Sequence, residues 1–156
     1  HKMRTIAILP LLFLLTSCVP QKKIIKNDFV PCCHLEIKQI VLPYSNDYSF
    51  VITNGYLLIY DLKTKEHETI KKKLIKKKLT KEEMLDIVSA LKKMENLESH
   101  YTDDKWIDGI YWEIDYSLGK LCRKIVVGNM EVNEITNLFK TINKISPENK
   151  PTLIIW

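Results

Sequence analysis

Glycine and proline are both scarce in this chain, which has 156 residues but only four glycines and six prolines. Collagen-like and low-complexity architectures are therefore excluded. No phosphate-binding loop or nucleotide fingerprint occurs, and the spacings Cys-x-x-Cys, His-x-x-x-His and Gly-x-Ser-x-Gly are missing. The sequence thus offers no motif for a cofactor, a metal ion or a catalytic triad.

A strong excess of charge of one sign is missing as well. The chain has 24 basic and 19 acidic residues, and Lys2 and Arg4 precede Cys18, so the net charge from Cys18 onward falls from +5 to +3. Such a mild excess does not indicate a nucleic-acid partner. Hydrophobic residues make up 46% and charged residues 28%, which is typical of one globular domain and excludes wholesale disorder.

Long hydrophobic runs are the third absence. The longest run at the start of the chain, Ile6–Leu15, is too short to cross a bilayer as a helix, which takes about 20 residues. It follows Arg4, and a positive start followed by a short apolar segment is the pattern of a signal peptide. We therefore expect residues 1–17 to be a signal peptide.

The segment Leu15-Thr16-Ser17-Cys18 resembles the lipobox of bacterial lipoproteins, in which an aliphatic and two small residues precede a cysteine. The resemblance implies that Cys18 is acylated on its sulfur and, in many bacteria, on its new amine. Two or three acyl chains anchor a protein stably. The resemblance therefore implies a lipid anchor in the cell envelope, on the extracytoplasmic side. Under the enterobacterial sorting rule, Val19 favours the outer membrane, with the domain facing the periplasm. A plain secretory signal is the alternative.

Residues 18–31 are polar, rich in lysine and bounded by proline, which predicts a flexible tether before a single domain at residues 32–156. Within that domain, two alternating runs flank Asn54-Gly55. This is the strongest short-range signal for a hairpin, because a type I′ turn needs positive φ at both central residues. A first strand is expected at Leu35–Leu42.

A second hairpin is predicted around Leu118-Gly119-Lys120. Its alternation places Trp112 and Ile125 in the same core layer, with Arg123 breaking the apolar face. On the outer face, Glu113 or Asp115 could pair with Lys124.

Helices are predicted at Thr80–Leu97, where Thr80 and Glu83 form a capping box, and at Glu131–Ile145. Glu66–Ile70 and the apolar tail Thr152–Trp156 are candidate further strands. The expected fold is α+β, an antiparallel sheet of about five strands, including the two hairpins, with two helices packed on one face.

This order of elements resembles small lipoprotein families common in Bacteroidota, which have no established function. In those families a cysteine-containing first strand precedes a hairpin, a helix that opens with Leu-Ser/Thr-x-Glu-Glu, and a tyrosine-rich acidic loop. Leu79-Thr80-Lys81-Glu82-Glu83 and Tyr101-Thr102-Asp103 match that pattern. The adjacent Cys32-Cys33 departs from the spaced cysteines of these families.

Three cysteines follow Cys18, and an oxidising compartment favours their pairing. The expectation is either a disulfide between Cys33 and Cys122, with Cys32 as the alternative to Cys33, or inert thiols. A nucleophilic cysteine with His34, His67 or His100 as its base, or a Cys/His metal site, has no supporting spacing.

Six of the ten residues in Ile70–Leu79 are lysines. This run could bind anionic lipid, lipopolysaccharide phosphates or an acidic partner. A solvated turn leading into the first helix is the favoured interpretation.

The loop from Tyr101 to Asp108 is the predicted binding site, because the helices and strands use their apolar residues in the core. Tyr101 and Trp106 are candidate anchors, and Asp103, Asp104 and Asp108 would orient a basic partner. The loop lacks the alternating acids and closing glutamate of a calcium site. For the loop taken by itself, a connector whose tryptophan caps the core is the favoured interpretation, and any binding function is expected to lie there.

Together these features predict a membrane-anchored, non-catalytic lipoprotein that binds a protein in the periplasm or at the outer membrane, for example an immunity-type inhibitor of a periplasmic toxin. An envelope accessory or structural lipoprotein is the second class, and a thiol- or metal-dependent enzyme the third. The expected partners are membrane lipid, through acylated Cys18, and a protein. No nucleic acid, cofactor or metal ion is expected.

Overall fold

The computed structural model describes residues 33–43, 47–65, 68–102 and 109–155. In chain order they form β1 (Cys33–Leu42), β2 (Asp47–Thr53), β3 (Tyr56–Lys65), β4 (Glu68–Lys78), α1 (Lys81–Lys93), β5 (His100–Thr102), β6 (Gly109–Leu118), β7 (Leu121–Gly128) and α2 (Asn133–Ile145). The strands form one sheet in the order β4-β3-β2-β1-β6-β7-β5. The predicted signal peptide and tether lie outside the described residues.

The predicted α+β class is confirmed, but the sheet is larger than expected and is mixed. Within the described part of the chain it has seven strands, and β5 runs parallel to β7. With only three residues, β5 is too short to show a period in the sequence. The lysine run forms most of β4, an edge strand, and not a solvated turn. Lysines suit an edge strand because their charged ends stay in water.

The apolar C-terminal segment was expected to be an edge strand, and this expectation is wrong for residues 152–155. The side chain of Asn143 accepts a hydrogen bond from the Leu153 N–H at 2.8 Å and donates one to the Leu153 carbonyl at 2.7 Å. Gln39, buried in β1, accepts the Ile154 N–H at 2.7 Å. Side-chain amides thus take the place of the backbone partners that a strand would have.

The predicted hairpin at Asn54-Gly55 is confirmed. Both residues have positive φ, 50° and 74°, and the flanking Thr53 and Tyr56 are paired. This is the backbone of a two-residue turn whose twist matches that of the strands.

Replacing Gly55 with valine should lower the free energy of unfolding by about 1 kcal/mol or more, because a β-branched residue resists positive φ. No heavy atom lies within 4 Å of the position of an added Cβ, so the loss would come from the backbone. Urea denaturation would measure it. Gly55→Asn is the matched control and should lose much less, since asparagine tolerates this conformation. An equal loss of unfolding free energy in the two variants would contradict a backbone origin of the effect.

Both helices bury an apolar stripe against the same face of the sheet. The predicted capping box starts α1, where Thr80 Oγ1 accepts the Glu83 N–H at 3.2 Å and Glu83 Oε2 accepts the Thr80 N–H at 2.8 Å. The stripes of both helices join the inward side chains of β1, β2, β3, β6 and β7 in one core. Neither described helix has the length and hydropathy needed to span a bilayer.

Trp112 and Ile125 are both buried in this core, as predicted for the second hairpin. The indole of Trp112 lies against the ring of Phe139 on α2, with centroids 5.4 Å apart. Arg123, which was expected to interrupt the apolar face, is half-buried, and its guanidinium donates to the carbonyl of Leu97 just beyond α1. The arginine therefore ties this segment to β7.

Candidate functional site

The sheet face opposite the helices, here called the open face, is not covered by any described element. Its side chains alternate along each strand with those of the core. It includes Glu36, Lys38 and Ile40 on β1, Asp47, Ser49 and Val51 on β2, Tyr56, Leu58, Tyr60 and Leu62 on β3, Lys71, Lys73 and Lys76 on β4, Tyr111, Glu113 and Asp115 on β6, and Lys124 on β7.

An ion pair across the open face shows that the sheet is strongly coiled. Lys71 Nζ lies 2.7 Å from Glu36 Oε1, although their strands, β4 and β1, are separated by β3 and β2. Lys71 is aligned with Leu62 on β3, whereas Glu36 is aligned through β2 with Leu58, four residues away. In a flat sheet of ordinary spacing the two positions would be about 20 Å apart. The open face is therefore concave along this diagonal.

The first concavity, here called the charged groove, has a volume of about 320 Å³, and its lining includes Glu36, Lys38, Asp47, Leu62, Lys71 and Glu113. Glu113 Oε2 lies 3.4 Å from Lys38 Nζ and 4.0 Å from Lys124 Nζ, so the predicted pairing of this outer carboxylate with Lys124 is confirmed. Carboxylates and ammonium groups thus alternate over its wall.

Glu36 is the most constrained charge in the charged groove. Its Oε1 accepts hydrogen bonds from Lys71 Nζ at 2.7 Å and from Ser49 Oγ at 2.9 Å. Partial burial would raise the pKa of Glu36, but the hydrogen bonds from Lys71 and Ser49 and the charges of Lys71 and Lys38 outweigh it and lower the pKa below the ordinary 4.5. The group therefore stays an acceptor at neutral pH and is a poor proton donor.

A lowered pKa makes the fold sensitive to acid. The ionised form of Glu36 stabilises the folded state above about pH 4.5, and this contribution is lost as the pH falls through the lowered folded-state pKa. Glu83 makes the stability depend on pH in the same sense, because hydrogen bonds from Lys77 and from the Thr80 backbone lower its pKa. We therefore expect the urea midpoint to fall between pH 6 and pH 3.5, and to fall less for Glu36→Gln. The control Glu82→Gln should keep the wild-type dependence, and an unchanged dependence in Glu36→Gln would contradict the assignment.

The second concavity, here called the tyrosine groove, lies between β3 and β4 and has a volume of about 290 Å³. Tyr56, Leu58 and Tyr60 line it together with Lys73 and Lys76. Lys76 Nζ lies 4.6 Å from the centroid of the Tyr56 ring, within the range of a cation–π interaction. This groove offers apolar rings and positive charge side by side.

The predicted binding loop is described only at its ends. Asp103, Asp104, Trp106 and Asp108 lie outside the described residues, so their role stays a prediction. Tyr101 is half-buried in β5, packs against the core, and its hydroxyl accepts the Glu98 N–H at 2.8 Å. This tyrosine therefore has a structural role, which limits what it can offer a partner.

Thr102 and Gly109, the described ends of this loop, lie at one end of the sheet. Thr102 is paired with Gly128, and Gly109 with Leu42. Ile40, in the charged groove, is two residues from Leu42 on β1. The end of the predicted binding loop at Gly109 therefore lies near the charged groove, whereas Thr102, on the edge strand β5, is three strands away from β1.

The two cysteines of the expected disulfide are not brought together. Cys33 is buried on the core side of β1, whereas Cys122 is an exposed free thiol on β7. Cys33 is paired with Leu118 and Cys122 with Ser117, so β6 lies between them and they belong to opposite faces. A disulfide between them does not fit this register. Cys32 lies outside the described residues.

The grooves were not predicted, although part of their signal is in the sequence. Alternation along β1 indicates that Glu36 and Lys38 face away from the core, whereas the run Tyr56–Tyr60 on β3 is apolar at every position and does not distinguish its two faces. The coil that brings Lys71 to Glu36 depends on long-range packing and has no local signature. Among the described residues, no group of three or more His, Cys, Asp or Glu side chains could hold a metal ion.

Comparison of the chain with models of known protein families and with curated proteins finds no match, so the interpretation of these grooves depends on their own chemistry.

Proposed function

We propose that this chain is a non-catalytic binding protein, held on the extracytoplasmic side of a cell-envelope membrane by lipid on Cys18, that captures a protein partner on its open face. An immunity-type inhibitor that occupies a toxin in the periplasm is the concrete form of this proposal.

The concave open face is the observation that carries the proposal. A concave face lined by charges and tyrosines can surround part of a partner, which a flat or convex face cannot do. Here the charged groove and the tyrosine groove lie side by side on β3 and β4. Tyrosine supplies large contact area at low entropic cost, and charges in complementary positions set the register of a partner.

Two further features support binding over chemistry. Glu36 is held ionised by its lysine and serine partners, whereas a general acid needs a raised pKa. Glu113 is shared between two ammonium groups. Both carboxylates are thus arranged as fixed charges, which suits the orientation of a partner.

Site-specific photocrosslinking in intact cells tests the proposal. A benzoylphenylalanine placed at Thr64, an exposed position beside the charged groove, should give adducts of defined mass with an envelope protein. The matched control is the same residue at Asp86, which is exposed on α1. The same adducts from both positions, or none from Thr64, would contradict capture on the open face.

The membrane anchor makes a separate prediction. The full chain should incorporate a fatty-acid probe, and Cys18→Ala should abolish the labelling, because only a thiol can form the thioether that the lipobox resemblance implies. Gel fluorescence after metabolic labelling measures it, with Cys122→Ala as the control that should label like the wild type. Equal labelling of Cys18→Ala would refute lipidation at this residue.

A further inference from the structure

Strand β4 presents the longest free edge of the sheet. It has 11 residues and pairs only with β3 in the described part of the chain. The pairing shifts register between Ile59 and Tyr60, so that Leu74 is an extra residue on β4. Before the bulge, Glu68–Lys73 is an uninterrupted stretch with the length of an ordinary strand. All six residues of this stretch are exposed.

The charge of this edge is only partly neutralised. Lys71 is paired with Glu36, and Lys77 with Glu83 and the carbonyl oxygen of Ile145. Within the described residues, Lys72, Lys73, Lys76 and Lys78 have no ion pair. Asp61, the residue opposite Lys72 on β3, lies 3.8 Å from Lys63 instead. The edge thus has a surplus of positive charge.

Apolar side chains interrupt the lysines. Ile70 is 51% exposed and Leu74 is 39% exposed, and both belong to β4. Lysines alone are enough to protect an edge strand from self-association. Exposed Ile and Leu side chains on the same edge add contact area that such protection does not require.

We propose that β4 is the docking strand for the protein partner, an inference that rests on the proposed function. An acidic, extended segment of that partner would pair with Glu68–Lys73 as an additional strand. The backbone of the free edge would supply hydrogen bonds, as in other strand-addition complexes. A carboxylate of the segment would lie opposite Lys73 on the open face, and its apolar side chains opposite Ile70. Lys72 and Lys76 would attract the segment over a longer range.

The charges also select against other occupants. A second copy of β4 would bring lysines against lysines, and like charges in facing positions are destabilising. A bilayer surface is planar, whereas Lys73 and Lys76 line a concave groove beside the edge. An acidic chain in an extended conformation fits both the edge and the groove.

Hydrogen–deuterium exchange of the full chain in detergent tests this directly. The probe is a capped eight-residue peptide of alternating glutamate and valine. It should slow exchange in residues 68–78, whereas a peptide of alternating lysine and valine should not. The acidic peptide with N-methyl groups at alternate amides keeps its charge but cannot pair as a strand, and it should also leave exchange unchanged.

A matched pair of variants separates local charge from net charge. Lys72→Gln combined with Lys73→Gln should weaken binding of the acidic peptide by up to about fivefold, the upper end of the range for the one cross-strand ion pair lost at Lys73. Lys92→Gln combined with Lys93→Gln, at exposed positions of α1, should bind like the wild type.

Three outcomes would overturn the docking strand: equal binding of the N-methylated peptide, unchanged exchange in residues 68–78 with the acidic peptide, or protection of these residues only by phosphatidylglycerol vesicles. Undiminished binding of the crosslinked partner by the Lys72/Lys73 variant would also overturn it and leave the proposed function intact. Absence of crosslinks from Thr64 would refute the proposed function. The peptide experiment would still show whether β4 accepts an acidic segment as an additional strand.

Discussion

Trp112→Ala should destabilise the fold by about 3–5 kcal/mol, the range for removal of a fully buried large aromatic side chain. Trp112 is 1% exposed and lies between the sheet and Phe139 of α2. Its Nε1 donates to Gln39 Oε1 at 3.3 Å, and the same oxygen accepts the Ile154 N–H. Alanine would leave a cavity and remove one of the two donors that fix Gln39. Urea denaturation followed by circular dichroism would measure the loss.

Tyr116→Phe is the matched control for this core position. Tyr116 is fully buried, and within the described residues its hydroxyl has no hydrogen-bond partner. Burial raises the pKa of Tyr116, against the opposing charge of Arg123 and with a smaller contribution from Glu95. Removal of the hydroxyl should therefore change stability by less than about 1 kcal/mol, or increase it. A loss below about 1 kcal/mol for Trp112→Ala, or a larger loss for Tyr116→Phe than for Trp112→Ala, would contradict this account.

The parts of the fold that depend on local chemistry were predictable from the sequence. The capping box at Thr80 and the Asn54-Gly55 turn are encoded by residues that are neighbours in the chain, and both are present. Alternation placed Trp112 and Ile125 in the core for the same reason. Elements whose apolar residues repeat regularly, and whose ends are marked by a cap or a turn, were thus predicted correctly.

The elements that were missed depend on distant residues. β5 has three residues and is a strand because β7 offers its edge. The lysine run is a strand because β3 pairs with it along its full length. The C-terminal segment is held by the side chains of Gln39 and Asn143 and not by a neighbouring strand. Local composition carries no information on any of these partners.

The candidate site likewise combines features that have a local sequence signal with features that depend on distant residues. Alternation along β1 separates Glu36 and Lys38 from Leu35 and Ile37, whereas the run Tyr56–Tyr60 on β3 is apolar at every position and does not distinguish its two faces. The coil that brings Lys71 to Glu36 depends on the packing of the whole sheet, and it turns that face into grooves. Of the loop chosen from the sequence, only the end at Gly109 lies near one of these grooves.

The loop makes the second prediction with a large effect. Trp106→Ala should weaken capture of the crosslinked partner by about 30-fold, since an aromatic anchor in a desolvated contact contributes about 2 kcal/mol or more. Asp104→Asn should weaken capture only a few-fold, because a carboxylate at the rim mainly accelerates association through its charge. The affinity of the full chain for the purified partner, measured by titration in detergent, gives both values.

Salt separates the two contributions. Added salt screens exposed charges, so it should reduce the difference between wild type and Asp104→Asn while leaving the difference between wild type and Trp106→Ala nearly unchanged. The circular dichroism spectrum and urea midpoint of each variant show whether the domain is intact. If folded Trp106→Ala binds as tightly as the wild type, the loop is only a connector between β5 and β6. In that case, a partner that crosslinks to Thr64 must be bound by the two grooves and by β4. The variant Lys72→Gln combined with Lys73→Gln should then reduce the affinity.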